Sequence, residues 1–228
     1  MLILCDSKMP GEAKARLSAY GEIAEFASEG ITYDAISGHP DIFFCPSPGG
    51  LIVAPNLPRE YFTILDLHNI QYTKGKLPVG FNYHETARYN SLVTDHYIIQ
   101  SPGISDASIQ NMNPDLELIS VRQGYIRCNL LALPNNTFIT SDQGIEKSLK
   151  LHSIEVLFVD PKGVKLDGFK HGFFGGACGL NKNTLYLCGS ISCFSEHQSI
   201  KEFCSHAEVH LIELFEGPPI DVGTILFL

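Results

Sequence analysis

Gly124–Asp160, GYIRCNLLALPNNTFITSDQGIEKSLKLHSIEVLFVD, decides the fold. An extended run, YIRCNLLALP, reaches a turn at Asn135-Asn136 and returns as TFITSD. Two apolar runs separated by such a turn read as a hairpin. A helical stretch, DQGIEKSLKLHS, follows, and then IEVLFVD, whose β-branched and apolar residues suit a buried strand. The unit is strand, turn, strand, helix, strand.

The same order recurs along the chain. His171–Glu216 runs HGFFGGACGLN, a turn at Lys182-Asn183, TLYLCGS, the helix EHQSIKEFCSHA and VHLIELFE. His39–Tyr72 gives PDIFFCPS, a Gly49-Gly50 turn, LIVAPN, a stretch around Arg59–His68, and IQY. Arg88–Val121 gives RYNSLVTD, YIIQS, SDASIQNMN and LELISV. The second strands end near Ala54, Gln100, Thr140 and Cys188, at spacings of 46, 40 and 48 residues. Such a period marks a solenoid or propeller. A fifth unit is split: MLILCDS, PGEAKARLSAYG and EIAEF stand at the N-terminus, and the first strand, PPIDVGTILFL, stands at the C-terminus. An apolar tail such as TILFL is a bare sheet edge unless paired, so Thr224–Leu228 is expected to pair with Met1–Cys5.

The expected architecture is α/β: a five-bladed α/β propeller of ββαβ repeats, pseudo-five-fold, closed by the two terminal strands. One domain spans residues 1–228, with units at 1–36 plus 217–228, 37–78, 79–122, 123–168 and 169–216. The alternative is a doubly wound sheet. The hairpin before each helix opposes it, and no GxGxxG or Walker motif is present.

Composition narrows the function. The 228 residues carry a net charge of −9 with no Lys/Arg cluster, which disfavours a nucleic-acid partner. Seven cysteines, an odd number without a CxxC pair, argue against disulfides and structural zinc. His206 and His210 are four apart but span a helix-to-strand boundary, so no metal site is expected, and no cofactor is called for. No signal peptide is read at MLILCDSKMP, and no run approaches membrane-spanning length. A cytoplasmic location without membrane association is expected.

Five ββαβ units closed by the termini resemble the pentein, or guanidino-group-modifying-enzyme, fold. That family includes arginine and agmatine deiminases, dimethylarginine dimethylaminohydrolase, amidinotransferases and the non-enzymatic ribosome anti-association factors. GYIRCNLLALP is most similar to the non-enzymatic branch. GHPD (Gly38–Asp41) and GGAC (Gly175–Cys178) resemble the enzymes' G-H-x-D and G-G-x-x-C signatures, the second one residue short. The resemblance implies a Cys nucleophile, a His that moves protons, and carboxylates that hold a guanidinium. It places the Cys on the first strand of the C-terminal unit, where this chain has Asp221. It places the His about two units earlier, where this chain has Arg127 and Cys128. Both departures weigh against a conventional deiminase and lean away from an enzyme.

Aligning the first strands on their turns brings Asp41, Arg88, Arg127 and Asp221 to one level, with Asn90 and Asn129 two residues further in. This set is the expected ligand-binding group at the pore; a structural ring of Arg–Asp pairs is the equal alternative. Cys178, after a Gly pair, is the first-choice nucleophile; Cys128 and His39 follow. Cys45, Cys188 and Cys193 read as core. The functional expectation is a small polar ligand, guanidino or amino-acid-like, at the central pore, with a Cys-dependent hydrolase of C–N bonds as its catalytic version. The alternative is an interaction protein that uses the ring face to hold a protein partner, as the anti-association factors do.

Overall fold

A computed structural model describes residues 1–228. In chain order the elements are β1 (Leu2–Asp6), α1 (Gly11–Leu17), β2 (Glu22–Phe26), β3 (Phe44–Ser47), β4 (Gly50–Val53), α2 (Arg59–Leu67), β5 (Tyr72–Lys74), α3 (Tyr83–Thr86), β6 (Leu92–Val93), β7 (Tyr97–Gln100) and α4 (Ala107–Met112). They continue as β8 (Glu117–Ser120), α5 (Ile126–Asn129), β9 (Leu130–Leu133), β10 (Thr137–Thr140), α6 (Gln143–Leu151), β11 (Val156–Phe158), β12 (Cys178–Asn181), β13 (Thr184–Leu187), α7 (His197–His206), β14 (His210–Glu213) and β15 (Leu226–Phe227).

The strands form five separate three-stranded sheets: β15-β1-β2, β3-β4-β5, β6-β7-β8, β9-β10-β11 and β12-β13-β14. In each, the first pair is antiparallel and the second parallel, with a helix between the parallel strands. No single sheet closes on itself. The terminal strands do pair: Ile3 faces Phe227, Leu4 faces Leu226, and Leu2 and Leu228 exchange two backbone hydrogen bonds of 2.9 Å.

Local chemistry explains these elements. The β9–β10 turn places Asn135 and Asn136 at φ 61° and 57°, a region that Asn tolerates better than most residues. The Asp142 side chain caps α6 by accepting from Ile145 N, and Ile145 and Leu149, four apart, bury one face. Thr137–Thr140 is buried throughout, as a central strand covered on both faces must be.

The first strands begin later than their sequence pattern implies. A single helical turn precedes three of them: Pro40–Ile42 before β3, α5 before β9, and Gly175–Ala177 before β12. Ahead of β6 and β15 the chain runs through irregular backbone. Residues expected on strands therefore sit in these entry segments.

Contacts link the five entry segments in a cycle. Asp41 N donates to Gly223 O, and Asn90 Nδ2 donates to Asp41 O. Ile126 N and Arg127 N both donate to Asn90 O at 3.0 Å. The Arg127 carbonyl packs so closely on Gly175 that a Cβ there would collide with it. Gly176 O accepts from Val222 N and Thr224 N, returning to the segment of Gly223. No helix is long and apolar enough to cross a membrane.

Candidate active site

The entry segments deliver a cluster of buried polar side chains to the centre. His39 and Asp41 come from the segment before β3, Asn90 from the one before β6, and Cys128 from α5. Asp221 and Thr224 precede β15, and Asp6 ends β1. All seven are less than a tenth exposed; Asp41 and Asn90 are fully buried.

Asp41 is the hub. Its Oδ2 accepts the Cys128 thiol at 3.0 Å and the Thr224 hydroxyl at 2.8 Å, while its buried Oδ1 has no partner. Asn90 fixes the thiol from the other side: its Nδ2 donates to Cys128 Sγ at 3.1 Å, and its Oδ1 accepts from Cys128 N at 3.2 Å. His39 stands between two acids, with Nε2 at 3.7 Å from Asp6 Oδ2 and Nδ1 at 3.9 Å from Asp221 Oδ1. Both gaps exceed a hydrogen bond, and Nε2 is buried without a partner. Asp221 is held by backbone, accepting from Phe173 N at 2.9 Å and Gly223 N at 3.0 Å. Gly223 has φ 64°, and a side chain there would run into His39.

No Lys or Arg forms an ion pair with Asp6, Asp41 or Asp221, and burial sets their protonation. It pushes Asp221 up to about 7, with the nearby charge of Asp41 adding to it. Burial likewise raises Asp6 to about 6 and lifts Asp41 above the usual carboxylate range. It lowers His39 to about 3, so the imidazole is neutral. Burial, reinforced by Asp41 and then Asp221, raises Cys128 well above an ordinary thiol. At neutral pH Cys128 is a thiol donating to Asp41.

Three of these groups, His39, Cys128 and Asp221, line a cavity of about 90 Å³ together with Tyr33, Tyr125, Phe169 and Phe173. Tyr33 packs on Phe169 with ring centres 5.8 Å apart. A hydroxyl chain runs from Tyr33 to Tyr125 at 3.1 Å and on to Thr86 at 2.5 Å. Aromatic rings and a carboxylate lining one cavity suit a small cation. No three His, Cys, Asp or Glu side chains converge to hold a metal ion.

Of the residues singled out in the sequence, the structure brings together His39, Asp41, Asn90, Cys128 and Asp221. Arg127 lines a different, larger space and lends Asp41 only through-space attraction. Arg88 turns away to the Pro78 carbonyl. Asn129 is structural: its Nδ2 donates to Tyr125 O at 2.7 Å, and its Oδ1 accepts from Ser141. There is no ring of Arg–Asp pairs; neither arginine forms an ion pair. Cys178 is fully buried in an apolar cluster with Leu187 and Cys204, where burial first, and then Cys204, Cys188 and Asp221, hold its thiol protonated. The Gly pair before it makes room for the Arg127 backbone and the Asp221 carboxylate, not for a ligand. Cys193, expected in the core, is exposed. Asp6, Thr224 and the aromatic wall were not foreseen; only Asp6, ending the N-terminal strand, carried a sequence signal.

Comparison with solved structures returns the amidinotransferase SxtG from Microseira wollei, of the saxitoxin biosynthetic pathway, at 10% identity and TM-score 0.57, over 93% of this chain and 87% of that one. It also returns DDAH from Pseudomonas aeruginosa complexed with citrulline, at 12% identity and TM-score 0.54, over 93% and 91%. A third is the C. jejuni agmatine deiminase, at 10% identity and TM-score 0.57, over 93% and 86%. Identities this low show the fold alone, and that fold is the pentein, guanidino-group-modifying-enzyme fold. No curated protein sequence matches the chain. A family model matches residues 4–226, nearly the whole length, and the chain belongs to the Family of unknown function (DUF6873).

Proposed function

We infer that the Cys128 cavity binds a small guanidino or amidino cation and hydrolyses its C–N bond. The carrying observation is that Cys128 Sγ lies 3.0 Å from Asp41 Oδ2 at the edge of a cavity that also presents Asp221. Buried carboxylates without a Lys or Arg partner are costly unless protonated or neutralised. A planar cation in the cavity supplies that charge, by charge-assisted hydrogen bonds to Asp221 and by through-space attraction to buried Asp41. Its arrival also favours the thiolate, which two carboxylates otherwise oppose.

The groups present balance the reaction. The Cys128 proton passes to Asp41 Oδ2 as Sγ bonds to the guanidinium carbon and the C=N π pair moves to nitrogen. The C–N bond breaks, and the departing amine takes the proton from Asp41. Water then adds to the carbon with the freed Asp41 carboxylate as base; the C–S bond breaks, Asp41 returns the proton to the thiolate, and the hydroxyl proton leaves with the ammonia as ammonium. The net change is guanidinium plus water to a ureido group and ammonium.

The likeness to an amidinotransferase, DDAH and an agmatine deiminase supports this reading. So does the cycle of entry segments, which we take as the hub of five blades in one domain. Incubating the protein with methylguanidine, agmatine and acetamidine and assaying ammonia tests it. Cys128→Ser is expected to retain binding and lose turnover. Binding that is unaffected by Asp221→Asn removes the cavity from the reading.

A second reading is a protein-interaction surface. Phe81, 65% exposed, and Phe169, 52% exposed, both pack against Tyr33, which gives the outside of the cavity an apolar rim. Full turnover by a Phe81→Ser, Phe169→Ser double variant would assign that rim to a partner and not to the substrate.

A further inference from the structure

We propose that the funnel on the other side of the Asp41–Thr224 layer is a second, separate binding site, which takes a small carboxylate with an apolar body and seats its charge on Arg127. The funnel holds about 690 Å³, within the range of small-molecule sites, and shares no lining residue with the Cys128 cavity. Arg127 and Cys128 are neighbours in one helical turn, where successive side chains point about 100° apart. The thiol faces Asp41, and the guanidinium faces the funnel.

Arg127 is the only Lys or Arg among the funnel's lining residues. Its guanidinium makes one hydrogen bond, Nη2 to the Pro46 carbonyl at 3.3 Å, and its buried Nε has no partner. No carboxylate pairs with it. A half-buried guanidinium left this short of acceptors lacks the planar anion that its fork is shaped to receive. The walls decide which anion. Leu131, Leu133, Leu180 and Phe227 give them an apolar stretch beside a polar one, and Asp95 and His96 stand exposed at the edge. A multiply charged phosphate would bring more than one charge to a single arginine, with Asp95 opposing it. A monocarboxylate puts its single charge on Arg127 and its chain on the leucines, burying apolar area on both sides.

Calorimetric titration with hexanoate tests this, with hexylamine and inorganic phosphate as comparisons. Hexanoate is expected to bind and to raise the melting temperature with concentration; hexylamine and phosphate are expected to do neither. Arg127→Gln should weaken hexanoate at least about tenfold, the loss of a charge-assisted pair. Leu180→Glu places a negative charge in the wall and should weaken it likewise, while methylguanidine binding at the Cys128 cavity stays unchanged. The second variant decides the matter if the first does not fold. No hexanoate binding at millimolar concentration overturns the proposal. So does equal affinity for phosphate, affinity that survives both substitutions, or displacement of hexanoate by methylguanidine.

Discussion

Cys128 Sγ and Asp41 Oδ2 lie 3.0 Å apart although 87 residues separate them along the chain. The carboxylate that accepts the thiol's hydrogen bond also adds to what burial does first, making the thiolate unfavourable. Cys128 is therefore held as a thiol.

That relationship predicts an order of cysteine reactivity. Iodoacetamide at neutral pH should label exposed Cys193 first and leave Cys128 and Cys178 until the protein unfolds. Asp41→Asn removes a negative neighbour and should lower the Cys128 pKa, so labelling at that residue should speed up. Mass-spectrometric rates by residue check this; slower labelling of Cys128 in the variant contradicts it.

Asp221 predicts a pH dependence of stability. Its folded pKa, about 7, lies above the ordinary carboxylate value of 3.8, so between those limits the folded state holds a proton that the unfolded chain releases. Stability from this group therefore falls as pH rises from about 4 to about 7. His39, lowered to about 3, works in the opposite direction between pH 3 and its ordinary 6.5, which makes the parent curve a composite. The difference between the parent and Asp221→Asn isolates the acid. The variant should gain on the parent as pH rises, by about 1.4 kcal/mol for each tenfold change in proton affinity. Denaturant titrations at pH 4.5 and pH 7.5 measure it, and a constant difference refutes it.

Leu226 is 3% exposed and faces Leu4 across the terminal strand pair. Leu226→Ala should cost about 2–5 kcal/mol, and deletion of residues 224–228 more, because the ladder to β1 goes with it. A truncated protein that melts at the parent temperature would show that the pairing is dispensable.

Gly223 supports the site through its backbone. Alanine at φ 64° is strained, and its methyl would displace His39. Gly223→Ala is expected to destabilise by more than about 1 kcal/mol and to abolish binding of guanidino compounds. Calorimetry on the folded variant separates the two effects; undiminished binding would mean that His39 has room to move.

The strand–turn–strand–helix–strand units were legible because each is a local pattern of apolar runs and turn residues. Aligning the first strands on their turns also found Asp41, Asn90 and Asp221, since the turn fixes the distance back to the entry segment. Arg127 and Asn129 were misplaced for one reason. Pro40–Ile42, α5 and Gly175–Ala177 are helical turns where extended chain was expected, and a helical turn rotates side chains that a strand would alternate. Cys128 thus gained the centre and Asn129 lost it. Tyr33, Phe169 and Phe173 come from connecting stretches without periodicity, so nothing in their spacing brings them to one wall.

The cycle of contacts through Asp41, Asn90, Arg127, Gly176 and Gly223 gives each of the five units one berth at a common centre. The berths differ in backbone, three helical turns and two irregular stretches, yet each feeds a first strand, so sulfur, acid or amide can stand in any of them without a strand moving. Here the segment before β15 carries the acid Asp221, and α5 carries the thiol of Cys128. A sequence scan keyed to residue order along the chain passes over such a centre. A scan keyed to the five berths, indifferent to which one holds the sulfur, would find it.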